Sequence, residues 1–161
     1  MHEPVENLIQ PDEYQVFLMT SPASVPFNFA RHLWFVVNKK GSISRWEVLW
    51  KPEPHHAKTV WGHLTRDTLP PFQGLRVFHL SDQYFWRSSL FKIIEGDETS
   101  VAAQMAEYIE QSPQTYPYKE RYSFSGPNSN TYVKWVIDRF PKLGIHLPWN
   151  AFGKDEAARA D

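Results

Sequence analysis

The sequence contains no cysteine among its 161 residues. Disulfides, thiolate metal sites and cysteine nucleophiles are therefore excluded. Long apolar runs are also missing, because the longest lies near residues 33 to 37, whereas a helix that spans a bilayer needs roughly 20 apolar residues. The start of the chain shows neither the basic nor the apolar segment of a secretory signal. Together these absences predict a soluble, cytoplasmic protein without a membrane span.

Clusters of one charge are equally scarce. The chain has 17 basic and 18 acidic residues, a net charge of −1, and no run of like charges longer than a pair such as Lys39–Lys40. Surfaces that bind nucleic acid usually show clustered Lys and Arg, so a nucleic-acid partner is not expected. Glycine-rich phosphate loops, Walker motifs and Rossmann fingerprints are absent as well, and no cofactor is implied.

Large apolar side chains, by contrast, are abundant. Aromatic residues make up 16% of the chain, with seven Trp and eleven Phe, and hydrophobic residues make up 42%. Such a composition is typical of a compactly folded chain, and the length suits one domain with a full core. Strand-like segments precede separated helices, which predicts an α+β fold with an antiparallel sheet and packed helices.

Hydrophobic patterning predicts the elements of this domain. Strands are expected at residues 14 to 20, 32 to 37, 42 to 50, 75 to 80 and 88 to 94, a long irregular loop at 51 to 74, and helices at about 99 to 111 and 130 to 140. Thr99 or Ser100 is the expected cap of the first helix, and Pro141 marks the end of the second.

The second and third predicted strands form a hairpin. If Asn38 to Gly41 form its loop, the numbers of paired residues sum to 79, so that His32 lies opposite Glu47 and Trp34 lies opposite Arg45. A two-residue loop would change this pairing. The hairpin therefore predicts an imidazole and a carboxylate as cross-strand neighbours on one face.

His32 and Glu47 have a catalytic and a structural interpretation. A neutral His32 imidazole can accept a proton from a hydroxyl, and the carboxylate of Glu47 can fix its tautomer. The alternative is a half-exposed histidine at a strand end that pairs with a glutamate for ordinary stability.

Small polar residues begin the second predicted helix. A helix N-terminus presents unpaired N–H groups and the positive end of the helix dipole, so the hydroxyl of Ser129 can face an oxyanion pocket there. Ser129 is therefore a candidate nucleophile. The candidate substrate contacts lie beside it: Asn128, Asn130 and Thr131. The alternative is that Asn128 or Ser129 is only an N-cap, a position that both residue types favour.

Three histidines fall in the long loop: His55, His56 and His63. Neutral imidazoles bind metals well, but adjacent histidines seldom bind one ion together, and no carboxylate or thiolate completes a familiar spacing. A solvated loop without a metal is the expectation.

Several motifs resemble one bacterial family. GPNSNTY, residues 126 to 132, is followed by an aromatic helix and then by LPWNAFGKD, residues 147 to 155. With RHLWFVV, SRWEV and YPYKERY, these segments resemble a family catalogued as domain of unknown function number 3750. Tyr132 and Phe152 stand where that family has Phe and Ile. The resemblance covers about residues 14 to 155.

The same segments are more distantly similar to circularly permuted papain-like proteins, such as NlpC-type amidases and relatives of lecithin:retinol acyltransferase. These proteins have a His-led strand, a polar third residue on the partner strand, and a late Asn-Cys-x-x-Phe-Val helix start. His32, Glu47 and Ser129 take the three corresponding places, with serine instead of cysteine. The resemblance implies a permuted papain-like α+β domain at residues 14 to 155, between an N-terminal extension, 1 to 13, and a mobile tail, 156 to 161.

The leading expectation is a hydrolase or acyltransferase that acts on an amide or ester, with Ser129 as nucleophile, His32 as base and Glu47 as orienting residue. A serine hydroxyl is not ionised in advance as a thiol can be, so proton removal must accompany attack. The alternative is a catalytically inactive domain of the same fold, a pseudoenzyme that binds a peptide, glycan or lipid head group. A structural role in assembly is a third interpretation. Neither the substrate nor the oligomeric state follows from the sequence.

Overall fold

A computed structural model of the chain describes residues 3–52 and 59–159. Within these ranges six strands form one antiparallel sheet, in the order β4-β5-β3-β2-β1-β6. The strands are β1 (Tyr14–Pro22), β2 (Arg31–Lys39), β3 (Ser42–Val48), β4 (Thr59–Trp61), β5 (Leu64–Arg66) and β6 (Ser89–Gly96). The helices are α1 (Val101–Glu110), α2 (Ser112–Thr115) and α3 (Ser129–Ile137), with 3-10 turns at Val5–Leu8, Pro141–Leu143 and Lys154–Arg159. The predicted α+β class and antiparallel sheet are confirmed.

Two neighbouring interior strands, β1 and β2, are buried on both faces. Successive side chains of a strand point to opposite faces, so each strand contributes to two clusters. The helices cover the larger cluster, which includes Val16, Leu18, Leu33, Phe35 and Val37 together with Tyr132, Val133 and Val136 of α3. The opposite cluster contains Phe17, Met19, Trp34 and Val36, covered by Val5, Ile9, Phe72 and Leu90.

The predicted register of the β2–β3 hairpin is wrong by two residues. Lys39 pairs with Ser42, so the loop contains only Lys40 and Gly41, which both adopt positive φ angles of 51° and 99°. Two positive φ angles are typical of the tight type I′ turn, whose twist matches that of the flanking strands. The shift puts Val36, not Trp34, opposite Arg45.

This shift preserves the faces of the hairpin. Because side chains alternate with a period of two, a slip of two residues leaves every side chain on its predicted face. Extending the observed register places His32 diagonal to Glu47 rather than directly opposite, and both side chains are long enough to meet across that diagonal.

The remaining differences lie in the loops. The predicted irregular loop at 51 to 74 contains β4 and β5, and the predicted strand at 75 to 80 is not formed, because the described backbone there makes only an isolated bridge between Arg76 and Phe85. The tail expected from residue 156 overlaps the last 3-10 turn, in which Ala157 is buried. These segments depend on tertiary contacts rather than on their own periodicity.

The two long helices begin at side-chain caps. Ser100 accepts a hydrogen bond from the N–H of Ala103 and caps α1, one of the two caps expected there. The helix α3 packs against β2, and the ring of Tyr132 in α3 contacts that of Phe35 in β2. The start of α3 therefore lies beside the end of β2 at which His32 is found. Residues that are far apart in the sequence meet at this point.

Candidate functional site

The start of α3 is held by an extensive set of hydrogen bonds. Asn128 is the N-cap: its Oδ1 accepts hydrogen bonds from the N–H groups of Asn130 at 3.0 Å and Thr131 at 3.3 Å. The Thr131 hydroxyl accepts from the Asn128 N–H at 3.0 Å, which completes a capping box. Ser129 is therefore the first helical residue and not the cap.

The side chain of Ser129 makes a different contact. Its Oγ lies 2.7 Å from Nδ1 of His32, although the two residues are 97 positions apart in the sequence. The other ring nitrogen, Nε2, lies 2.9 Å from Oε1 of Glu47. The structure thus brings the three candidate catalytic residues into one hydrogen-bonded chain. Both contacts of the His32 ring are compatible with a tautomer in which Nε2–H donates to Glu47 and Nδ1 accepts from Ser129.

Arg45 extends this chain beyond Glu47. It is fully buried, and its guanidinium binds both carboxylate oxygens: Nε contacts Oε2, and Nη2 lies 3.1 Å from Oε1. Its Nη1 donates to the backbone carbonyls of Pro70, at 2.7 Å, and Gln73. The guanidinium also lies over the ring of Trp34, 4.2 Å from its centroid. All three guanidinium nitrogens thereby donate a hydrogen bond.

Sequence analysis missed the role of Arg45. The period-two alternation of SRWEV puts Arg45 and Glu47 on one face, and this signal could have indicated an ion pair. The carbonyls that complete the arginine's coordination come from the loop after β5, whose path the sequence does not predict.

Burial and charge set the protonation states of the triad. Burial is the largest influence on the pKa of His32 and lowers it below its ordinary value, with a smaller contribution from Arg45 in the same direction and an opposing one from Glu47. For Glu47, burial raises the pKa, but the charge of Arg45 and the hydrogen bonds from His32 and Arg45 outweigh it and lower the pKa to about 2. At neutral pH the site therefore contains an ionised Glu47 and a neutral His32, as a general base requires.

The loop after residue 147 closes the site from one side. The carbonyl of Phe152 accepts hydrogen bonds from the side-chain amides of Asn128 and Asn130, each at 3.0 Å, and the carbonyl of Gly153 accepts from the Thr131 hydroxyl at 2.7 Å. Gly153 has a φ of +97°, and a Cβ there would lie 2.4 Å from the Asn128 amide. Only glycine fits this close approach without displacing the cap.

The side chains predicted to contact substrate accordingly make hydrogen bonds within the protein. Asn128 and Thr131 cap the helix and also donate to the carbonyls of Phe152 and Gly153, and Asn130 donates from Nδ2 to the carbonyls of Arg31 and Phe152. Oδ1 of Asn130 is buried without a hydrogen-bond partner among the described residues. A contact of these side chains with substrate stays a prediction.

A cavity of about 820 Å³ opens beside the triad. His32, Asn128, Ser129 and Asn130 form part of its wall. Ser129 and His32 are only 5% and 6% exposed, so their side chains lie at the base of the cavity rather than at the protein surface. Its rim carries exposed aromatic side chains, among them Phe27, Trp50 and Phe124. The arrangement combines an apolar cleft with a few convergent polar groups, which is typical of ligand sites.

Of the three loop histidines, His55 and His56 lie outside the described residues. His63 contacts the carbonyl of Leu49 through Nδ1 at 3.0 Å, and its ring packs against Tyr122. Across residues 3–52 and 59–159 no group of three or more His, Asp or Glu side chains is arranged to hold a metal ion. Over the same ranges no helix has the length and apolar character needed to cross a membrane.

Comparison with known proteins identifies the family. Residues 13–156 match the family described as "Protein of unknown function (DUF3750)", and the chain belongs to this family. The matched range includes every residue of the triad and the loop that closes it. No curated protein and no solved structure matches the chain.

Proposed function

We propose that this member of the family is a serine-dependent hydrolase or acyltransferase that acts on an ester or amide. The observation that carries the proposal is the continuous hydrogen-bonded chain from Ser129 through His32 to Glu47, with its serine end at a cavity. A nucleophile, a base within hydrogen-bonding reach and a group that orients the base are the three parts of a serine acyl-transfer site.

The proposed reaction proceeds in two halves. Ser129 Oγ attacks the substrate carbonyl carbon while its proton passes to Nδ1 of His32, and the C=O π electrons move onto the carbonyl oxygen. Collapse of this tetrahedral intermediate breaks the bond to the alkoxide or amine, which takes the proton from His32, and leaves an acyl-Ser129 ester. Water or an acceptor hydroxyl or amine then attacks the ester carbonyl and loses its proton to His32. Collapse of this second tetrahedral intermediate breaks the bond to Ser129 Oγ, which takes the proton back from His32, and releases the product.

The helix start offers stabilisation for the oxyanion. The cap uses the N–H groups of Asn130 and Thr131, whereas the N–H of Ser129 makes no hydrogen bond within the described residues. An N–H on the nucleophile itself, at the positive end of α3, supports a role as oxyanion donor. Glu47 and Arg45 act at a distance from substrate and are positioning residues.

We further propose that the domain has the circularly permuted papain-like fold. In support, β2 carries His32 near its start, β3, which pairs with β2, carries Glu47, and the helix that begins at Ser129 follows both strands in the chain. This order has the form expected of a permuted chain, with serine at the position of the usual cysteine. The fold-level likeness supports the site but does not itself establish the chemistry.

A ligand-binding domain without catalysis is the second candidate. The observation that favours it is the low exposure of Ser129, 5%, since a bound carbonyl must approach Oγ closely. In that case the cavity would hold a peptide, glycan or lipid head group, and the Ser129–His32 contact would only stabilise its wall.

Reaction with an alkyl fluorophosphonate separates the two candidates. The enzyme is expected to gain one phosphonyl group, localised by peptide mass spectrometry to Ser129. Ser129→Ala and His32→Ala should lose this adduct, whereas Ser125→Ala, which changes an exposed serine of the preceding loop, should keep it. A folded wild-type protein that gains no adduct on Ser129 contradicts the enzyme proposal and favours the binding domain.

A further inference from the structure

We infer that the cavity takes a substrate with an anionic group, a carboxylate or a phosphate, and that Arg31 binds it. An anionic group is thus the substrate class of the site. Only the statement that this ligand is also acylated or cleaved rests on the proposed function. The evidence for an anionic ligand is the distribution of charge around the cavity.

The cavity wall is asymmetric in charge. Three residues with cationic side chains line it, Arg31, Lys51 and Arg76, and no Asp or Glu of the described residues does so. Arg76 is engaged in an ion pair with Asp82, at 2.6 Å. Lys51 is exposed at the rim, with its Nζ over the ring of Trp50. A cavity wall that carries cations, and to which no Asp or Glu of the described residues contributes, attracts anions.

Arg31 lines the same cavity as Ser129 and lacks a charged partner among the described residues. It is half-buried, its Nε donates to the Thr20 hydroxyl at 3.2 Å, and no carboxylate of residues 3–52 and 59–159 pairs with it. Burial lowers the pKa of Arg31, which reflects a charge that has lost water without gaining an anion. Because the guanidinium fork binds a carboxylate or phosphate through two parallel N–H groups, a ligand can supply the missing partner.

The backbone holds Arg31 beside the triad. It directly precedes His32 in β2, its carbonyl accepts from Nδ2 of Asn130 at 2.8 Å, and its N–H donates to the carbonyl of Asn150 at 3.0 Å. Movement of this backbone is therefore restricted by α3 and by the loop that closes the site. An anion bound to Arg31 would lie in the same cavity as Ser129, and its attachment would orient the substrate.

The test compares ligands that differ in charge but little in shape. Octanoate and octanamide are titrated by calorimetry into the full chain with Ser129→Ala, which cannot form an acyl-enzyme. Octanoate should bind about tenfold more tightly, a difference that falls as KCl is added. Adding Arg31→Gln should reduce the ratio to about one, whereas adding Arg139→Gln, which changes an exposed arginine outside the cavity, should preserve it.

Three results would overturn the inference: no binding of octanoate, equal binding of the two ligands, or a ratio that survives Arg31→Gln. If the glutamine variant does not fold, Arg31→Lys decides, because it keeps the charge but loses the fork and should lower the ratio only in part. Octyl phosphate, titrated in parallel, shows which anion is preferred, and tighter binding than octanoate assigns a phosphate. Because turnover is not measured, failure here is distinct from failure of fluorophosphonate to label Ser129.

Discussion

The two ends of β2 each carry a buried polar cluster, and the clusters differ in how they terminate. At one end Asn38 and its partner across the sheet, Gln15, are fully buried. Their amides bond to each other at 2.9 Å, to the carbonyls of Leu8 and Gln10, and to the N–H of Gly41. At the other end His32 joins Glu47 and Ser129.

The first cluster closes on backbone groups and on the exposed carboxylate of Glu95, which accepts from Nε2 of Gln15 at 2.9 Å, whereas the second ends at a cavity. The Gln15 and Asn38 amides do not titrate, and their partners are chiefly main-chain atoms. This cluster therefore holds a loop and the end of a strand in place. The His32 cluster contains an ionised carboxylate and a neutral imidazole, and its last hydroxyl lies at the cavity wall. A buried polar cluster is thus evidence of a site only when its end is open to a ligand.

The largest expected difference between the clusters is in turnover. Ser129→Ala or His32→Ala should lower the kcat of a 4-nitrophenyl ester by roughly 10⁴-fold, because the nucleophile or its base is lost. Asn38→Ala, measured on folded protein, should leave kcat nearly unchanged. Loss of kcat in all three variants would show that the clusters do not differ in function, and circular dichroism checks that each variant is folded.

Glu47→Gln tests the charge of the site cluster. This change leaves the Arg45 guanidinium fully buried without its anion, so the free energy of unfolding should fall by about 3–5 kcal/mol. Gln15→Ala, in the cluster that buries no ionised side chain, should cost only about 1–3 kcal/mol. Urea titration measures both.

The double variant Glu47→Gln/Arg45→Met supplies the control. Removing both charges eliminates the unpaired cation, and the double variant should therefore be more stable than Glu47→Gln alone. A double variant less stable than the single one would mean that the arginine stabilises the fold through its carbonyl and Trp34 contacts, not through Glu47.

Of the two clusters, the His32 cluster should make the larger contribution to the pH dependence of stability. Because the pKa of His32 is lowered on folding, the unfolded chain binds a proton below about pH 6.5 that the folded chain does not, and the free energy of unfolding should fall as the pH drops through this value. Glu47, lowered from 4.5 to about 2, adds a further loss between those values. Urea midpoints measured from pH 8 to pH 5 should fall less in His32→Gln than in the wild type. Parallel curves would contradict a depressed pKa for His32.

The smallest expected effect concerns the open end of the site cluster. Since Asn128 caps α3, Ser129→Ala should cost only about 1 kcal/mol, the value of one hydrogen bond that water in the cavity can partly replace. Asn38→Ala removes the buried hydrogen bond to Oε1 of Gln15 and the bonds to Gln10 and Gly41, and should cost about 1–3 kcal/mol. A larger cost for Ser129→Ala than for Asn38→Ala would indicate that the serine is mainly structural.

Much of the local structure was predictable. Alternating side chains indicated β1, β2, β3 and β6, and the helical spacing with its capping residues indicated α1 and α3, because these signals come from neighbours in the chain. The faces of the hairpin also followed from alternation alone. The exact register did not, since the tight turn at Lys40 and Gly41 was mistaken for a longer loop.

The sequence by itself determined which residue types stand at the ends of these elements: a histidine at the start of β2, a glutamate in β3, and a serine at the start of α3. Only the tertiary structure decided that they touch. Ser129 and His32 meet across 97 positions because α3 packs against β2, and Arg45 is held by carbonyls of a loop without periodicity. Such contacts depend on the packing of whole elements and on loop paths, which local patterns do not encode.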